Sequence, residues 1–276
     1  MFDKFSRSWT LVKASASVIR SDKELLLFPV FSGLAAMLVI ATFAVPTFTL
    51  RLFEDGVGVL GAVVGFLFYL CLYFVTFFFN AALVGAALIR LEGGDPTVAD
   101  GFAAARSRIG PILGYAAIAA TVGMLLQALK DKENNPLVRI FASGLGVAWT
   151  LATFLVVPVL VVENVGPIDA LKKSVALLKR TWGENAIGNV GIGFAFGLLM
   201  FLAILASIAL VMGSAMVSPK LALAVGLLAV FGLVMLGILQ SALSGIYSAA
   251  LYRYAVDGAA PAGFEGTAIA TAFAKR

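Results

Sequence analysis

The stretch "GVGVLGAVVGFLFYLCLYFVTFFFNAALVGAALI", residues 56–89, contains no Asp, Glu, Lys or Arg. A transmembrane helix needs about 20 apolar residues, because the hydrocarbon core of a bilayer is roughly 30 Å thick. Five more uncharged runs that are long enough lie at residues 25–50, 110–129, 140–162, 185–219 and 221–252. The sequence therefore predicts an all-α integral membrane fold with six transmembrane helices in one domain, residues 1–276.

The overall composition agrees with a membrane protein and narrows the chemistry. Of the 276 residues, 61% are hydrophobic and 13% charged, whereas soluble domains are about 45–50% apolar and about 25% charged. Histidine is absent and Cys71 is the one cysteine, which removes the Ser-His-Asp, Cys-His and His-zinc templates of hydrolases. We expect no enzyme activity, no catalytic residues, no cofactor and no metal site.

The distribution of positive charge predicts the orientation. The N-terminus, the second and fourth connections and the C-terminus together carry 15 of the 20 Lys and Arg residues. Because cytoplasmic connections of membrane proteins are enriched in Lys and Arg, this bias predicts that both termini face the cytoplasm.

The segment "DALKKSVALLKRTW", residues 169–182, combines apolar and basic side chains at helical spacing. Its apolar stripe contains Leu171, Val175, Leu178 and Trp182. A basic amphipathic helix beside a span is typical of a helix that lies in the membrane interface, on the cytoplasmic side here. The residues predicted to contact anionic lipid or a partner are Lys172, Lys173, Lys179, Arg180, Lys13 and Arg20. Alternatively, these cations only fix the topology.

Two further segments, residues 2–20 and 97–109, show the same amphipathic pattern. The alternation of span, interfacial helix and span suggests an internal repeat with three copies, a known way of building membrane bundles. Nothing like a groove-reading module accompanies the basic segments, so nucleic acid is not an expected partner.

Few polar side chains lie within the uncharged runs, and Asn80, Asn189 and Gln240 are the most prominent. Counted along their helices, they can converge on one cavity that faces the cytoplasm. The favoured alternative is that they form hydrogen bonds between helices, each worth about 0.6 kcal/mol. The runs contain no ionisable carboxylate or base, which argues against a proton-coupled transporter.

Three segments resemble an uncharacterised family of prokaryotic six-span membrane proteins. They are "SWTLVKASASVIRSDKELLLFP", "DPTVADGFAAARSRIGPILGYAAIAATVG" and "PVLVVENVGPIDALKKSVALLKRTWGENAIGNVGIG". The segment "DALKKSVALLKRTW" is also distantly similar to the Ala-Leu-x-x-Ser helix of the membrane domain attached to some glycerophosphodiester phosphodiesterases. This resemblance implies an architecture in the prokaryotic inner membrane and brings no catalytic residues.

The expected function is that of a non-enzymatic inner-membrane protein that engages lipid or an amphipathic ligand through its basic cytoplasmic helices. One alternative is a small-solute channel or facilitator through the helix bundle. Another is a membrane scaffold for a soluble cytoplasmic partner, and association with further copies of the chain stays open.

Overall fold

The computed structural model describes residues 13–49, 58–131, 136–182 and 186–258, together with residues 261 and 264. Within these ranges the regular structure is helical, apart from turns and short connections. The helices are α1 (13–21, the described part), α2 (Leu27–Thr49), α3 (Val59–Leu91), α4 (Val98–Ser107), α5 (Ile109–Asp131), α6 (Pro136–Thr153), α7 (Val156–Val162), α8 (Pro167–Trp182), α9 (Ala186–Ala215) and α10 (Pro219–Asp257). A 3-10 turn, Lys23–Leu26, joins α1 to α2.

Six helical segments within the described residues are long and apolar enough to cross a membrane, which confirms the predicted number of spans. They are Lys23–Val45, Val59–Leu91, Ile109–Leu129, Ala142–Val162, Gly197–Ala215 and Pro219–Asp257. The fourth span consists of most of α6 followed by α7. The predicted segment 97–109 is a shorter helix, α4, which ends at Ser107 and is separated from α5 by Arg108 alone. Residues 2–12 of the predicted segment 2–20 lie outside the described residues.

The fourth span is broken between α6 and α7, and a side chain from α8 fills the break. Pro158 has no N–H to donate to the helix ladder, which disfavours a continuous helix here. The Ser174 hydroxyl of α8 donates to the Ala152 carbonyl oxygen at 2.7 Å and accepts from the Leu155 N–H at 3.1 Å. Insertion of a side chain into the backbone ladder is a known cause of a sharp helix kink.

Most of the buried core lies at one end of the bundle, which we call the basic end. This end is formed by the C-terminal parts of α3 and α10, the N-terminal parts of α2 and α5, and helices α1, α4, α7 and α8. Its largest fully buried side chains include Phe28, Leu83, Ile112, Leu160, Ile246 and Leu251.

Glycines allow α4 to pack closely on α3 at the basic end. A Cβ atom at Gly101 would lie 2.7 Å from the Ala82 carbonyl oxygen, and one at Gly85 would lie 2.5 Å from the Ala104 Cβ. Real Cβ atoms do not approach other atoms this closely. Small residues therefore set the distance between these helices, as is common where membrane helices pack.

The other end of the bundle, which we call the open end, exposes large apolar side chains. Leu38 of α2 is 69% exposed, Val59 of α3 is 85% exposed and Leu228 of α10 is 71% exposed. Exposed apolar surface on this scale is typical of a protein whose solvent is a bilayer. The open end is thus apolar and loosely packed, whereas the basic end contains the tightly packed core.

Candidate functional site

The face with which helix α8 packs on the protein overlaps the predicted apolar stripe only in part, since Leu178 of the stripe is buried there. The helix contacts α5, α6, α7 and α10. Among its described side chains, the buried ones are Ala170, Ser174, Leu177 and Leu178. Of the predicted stripe, Leu171 and Val175 are only half-buried, and the side chain of Trp182 lies outside the described residues. A small residue and a hydroxyl therefore form much of the contact face, which hydrophobic periodicity alone did not reveal.

The predicted cations of α8 point away from this contact face. Lys172 is exposed and lies 3.5 Å from Asp169, and Lys173 lies 2.5 Å from Glu163. Lys179 is exposed and makes no ion pair with a described residue. The side chain of Arg180 lies outside the described part of the chain. Exposed pairs such as Lys172–Asp169 contribute about 0–1 kcal/mol, so most of the charge of this helix stays accessible.

Glu163 links three helices at the basic end. One of its carboxylate oxygens accepts from the Lys173 ammonium of α8, and the other accepts from the Tyr252 hydroxyl of α10 at 2.8 Å. The Glu163 side chain is 18% exposed. The adjacent Asn164 accepts from the Arg108 guanidinium at 2.5 Å. Tyr252 and Arg108 were not predicted; their position at the ends of apolar runs is the sequence signal that marks such residues.

Two arginines at this end, Arg90 and Arg253, form hydrogen bonds and ion pairs within the protein. Arg90 donates to Asp95 at 3.0 Å and to the Gly94 carbonyl oxygen at 3.1 Å. Arg253 lies 3.0 Å from Glu92 and 3.4 Å from Asp257. Both arginines therefore join the ends of helices and have little charge to offer to a ligand.

The carboxylates of the basic end likewise have hydrogen-bond or ion-pair partners within the protein. Asp22 caps the 3-10 turn by accepting from the Glu24 N–H at 3.2 Å, and Glu24 accepts from the Val98 N–H at 3.2 Å. Asp100 accepts from the Thr97 hydroxyl and N–H in a capping box. Burial raises the pKa of Asp22, whereas the hydrogen bonds from Thr97 lower the pKa of Asp100. The remaining described acids at this end are the partners already given: Glu92, Asp95, Glu163, Asp169 and Asp257.

Several exposed cations at the basic end have no described carboxylate partner. They are Lys13, Arg20, Lys23, Arg106 and Lys179. Lys13, Arg20 and Lys179 were predicted contact residues, whereas Lys23 and Arg106 were not. Because the acids nearby are already paired or cap helices, the positive charge of these residues is not neutralised within the described part of the chain. A surface with such an excess attracts anions.

A cavity of about 270 Å³ lies next to the core of the basic end, among α2, α3, α5, α6, α7 and α10. We call it the polar cavity because many of its lining side chains are polar, although others are apolar. Its floor is buried and includes Leu83, Tyr115 and Ser248, whereas Thr76 and Ser241 at its mouth are exposed. Thr76 and Leu83 are seven residues apart on α3, so floor and mouth are separated by about 10 Å at the α-helical rise. The cavity is therefore closed towards the basic end and opens towards the open end.

The structure brings only part of the predicted polar set to this cavity. Asn80 lines it, Gln240 does not, and the side chain of Asn189 lies outside the described residues. The predicted cavity faces the cytoplasm, and that orientation stays a prediction; the observed cavity opens away from the basic end. The signal that sequence reasoning missed is a polar stripe on α10, where Ser241, Ser244 and Ser248 recur at helical spacing and all line the cavity.

A family model matches residues 59–264, from the start of α3 to beyond α10. The chain belongs to DUF6159, a family of unknown function. The DUF6159 match includes α4, α8 and the whole cavity lining except Pro29 and Ser32 of α2. Lys13 and Arg20 lie outside it. No curated protein matches the chain.

Proposed function

We propose that the protein is a non-enzymatic protein of the prokaryotic cytoplasmic membrane that binds anionic lipid headgroups at its basic end. One observation carries this proposal: exposed cations remain there after the described carboxylates have been committed to partners within the protein. An exposed cation near an anionic leaflet contributes about 1 kcal/mol of binding free energy. Several such cations on one surface give binding without a deep pocket.

The proposed orientation places the basic end at the cytoplasmic leaflet, with both termini in the cytoplasm. The excess of Lys and Arg in the connections at this end supports it. In this arrangement α1, α4 and α8 are interfacial helices that repeat three times with the spans around the bundle. Exposure of Ile168, at 59%, beside the cations of α8 supports contact of this helix with acyl chains as well as headgroups.

The distant resemblance to the membrane domain of phosphodiesterases supports the architecture of this end. Two residues of the Ala-Leu-x-x-Ser pattern, Ala170 and Ser174, are fully buried where α8 meets the break between α6 and α7. In this chain Ala170 of the pattern serves close packing, and Ser174 forms hydrogen bonds with the backbone at the break.

The packing favours lipid binding over the channel alternative. On the basic-end side of the cavity, the space between the helices is filled by the buried side chains of Leu83, Leu155 and Leu251. A channel would need a continuous polar path through this apolar core. The scaffold alternative uses the same cations, with an acidic soluble protein, or a second copy, in place of lipid. Identifying the molecule that binds to these cations, a lipid or a protein, distinguishes the lipid-binding proposal from the scaffold alternative.

The test compares retention of anionic phosphatidylglycerol with neutral phosphatidylcholine by the purified full-length protein, measured by native mass spectrometry. The test variant carries Lys13→Gln, Arg20→Gln and Lys179→Gln. Because each cation contributes about 1 kcal/mol, we expect this variant to retain phosphatidylglycerol at least about ten-fold less. The matched control is Lys220→Gln, an exposed lysine at the open end. Equal retention of both lipids, or no change in the triple variant, would contradict the proposal.

A further inference from the structure

The polar cavity contains hydrogen-bonding groups that the protein itself leaves unused. Ser32, Asn80, Ser241 and Ser244 line it, and their side chains form no hydrogen bond with any residue of the described ranges. In a membrane interior, polar groups without partners are unfavourable because the surrounding hydrocarbon offers none. The four side chains come from α2, α3 and α10, so only the tertiary structure brings them together.

Other groups in the cavity add acceptors to this set. Thr76, Thr150 and Ser248 donate their hydroxyl hydrogens to carbonyl oxygens of their own helices, at 2.8, 2.9 and 2.8 Å. Their oxygen lone pairs still accept hydrogen bonds. The lining thus presents both donors, from serine and asparagine, and acceptors, and it suits an occupant that carries both.

The absence of charge in the lining defines the occupant further. None of the described residues that line the cavity is an Asp, Glu, Lys or Arg. A charged headgroup would lose its hydration here without gaining a counter-charge, which is strongly unfavourable. The occupant is therefore uncharged, in contrast to the anionic lipid proposed for the surface of the basic end.

Size and shape indicate that only part of the occupant is polar. The volume of about 270 Å³ lies just below the range of about 300–1,000 Å³ that is typical of small-molecule sites. Phe77, Phe79 and Phe154 form apolar walls around the polar groups. The mouth opens towards the exposed apolar side chains of the open end, where a hydrocarbon chain would find a favourable environment.

We propose that this cavity binds the hydroxyl-bearing head of an uncharged lipid, of the monoacylglycerol class, with the acyl chain leaving through the mouth. Asn80, half-way between floor and mouth, is placed to donate and accept at once. Ser244 and Ser241, on the facing side of α10, bind the remaining hydroxyl. Water alone is the competing occupant.

The test measures retention of 1-oleoylglycerol by the full-length protein with native mass spectrometry. Methyl oleate, which has the same chain and no hydroxyl, and oleic acid, which has a carboxylate, are the comparison ligands. We expect a complex with one 1-oleoylglycerol molecule, and at least about five-fold lower retention of either comparison ligand, because one lost hydrogen bond already changes affinity about five-fold.

Two variants test the assignment of residues. Asn80→Leu and Ser244→Ala should each lower retention of 1-oleoylglycerol about five-fold. Gln240→Leu is the matched control, because it removes an amide from α10 that does not line the cavity. Should Asn80→Leu fail to fold, Ser244→Ala, which removes a single oxygen atom, carries the test.

Three results would overturn this inference: no complex with 1-oleoylglycerol, equal retention of methyl oleate, or unchanged retention in a folded Ser244→Ala variant. The first would leave water as the occupant. The triple variant with Lys13→Gln, Arg20→Gln and Lys179→Gln should still retain 1-oleoylglycerol. Its result separates failure at the cavity from failure of the proposed binding at the basic surface.

Discussion

The two ends of the bundle have similar apolar sequences and opposite packing. At the basic end, Leu83 of α3 and Leu251 of α10 are almost completely buried against protein. At the open end of the same helices, Val59 and Leu228 are 85% and 71% exposed. Hydrocarbon solvates an apolar side chain about as well as a protein core does, so hydrophobicity alone does not drive helices together in a bilayer. Packing, small residues and hydrogen bonds decide where the bundle closes.

The largest expected effect on stability is that of a substitution at Gly101 in the basic end, compared with the same substitution at Gly232 in the open end. Gly101→Leu should destabilise the protein by about 3 kcal/mol, because its side chain would have to displace the backbone of α3. A Cβ atom at Gly232, on α10 in the open end, would lie in open space, so Gly232→Leu should be nearly neutral. Thermal unfolding in detergent, followed by size-exclusion chromatography, measures both. Equal melting temperatures would remove the distinction between the ends.

A similar contrast holds between Ser174, which is fully buried and bonds to another helix, and Ser207, which is half-buried and bonds to its own helix. Ser174→Ala should cost about 2 kcal/mol, because it leaves the Leu155 N–H and the Ala152 carbonyl oxygen without their partner at the break in the fourth span. Ser207→Ala, on α9, removes a hydroxyl that only bonds back to the Ala203 carbonyl oxygen of its own helix and should cost little. The same unfolding measurement applies. A neutral Ser174→Ala variant would show that the break needs no hydroxyl.

Ion pairs within the basic end should differ according to burial. Glu163→Gln weakens the contact with Lys173 and retains an acceptor for Tyr252, so we expect a loss of about 1 kcal/mol. Asp169→Asn removes an exposed partner of Lys172 and should change stability by less than about 0.5 kcal/mol. A double-mutant cycle with Lys173→Gln measures the coupling at Glu163. Additive effects of the two changes would contradict a direct interaction.

The smallest expected effect is a pH dependence at Asp22. Because burial raises the pKa of Asp22 in the folded state, the contribution of this group to stability is fully present below its unfolded pKa. That contribution is lost as the pH rises through the folded pKa. Relative to Asp22→Asn, the wild-type protein should therefore gain stability as the pH is lowered from about 7 to about 4. A difference that stays constant with pH would contradict this assignment.

Much of the fold was predictable because hydropathy measures what a bilayer requires. The predicted runs 25–50 and 56–89 correspond to the spans Lys23–Val45 and Val59–Leu91, and the predicted helix 169–182 to α8. The break between α6 and α7 was not predicted. Its cause is shared between Pro158 and the distant Ser174, and local patterns do not report on contacts between segments.

The candidate sites were less predictable than the fold. Asn80 was identified from its polarity within an apolar run, whereas Ser32, Ser241 and Ser244 were overlooked because single serines are common in membrane helices. On α8 the periodicity favoured a stripe through Leu171 and Val175, while Ala170 and Ser174 form the tighter contact. Size and hydrogen bonding, more than hydrophobicity, determine which face of a membrane helix meets protein.

The sequence by itself determined that the chain is a helical membrane protein with six spans, because uncharged runs of sufficient length have few alternatives to crossing the bilayer. It also placed the cations of α1 and α8. Only the tertiary structure decided which cations stay unpaired and which polar side chains share a cavity. Both depend on the relative positions of helices, and an apolar environment that is uniform along the chain leaves those positions to packing and hydrogen bonds.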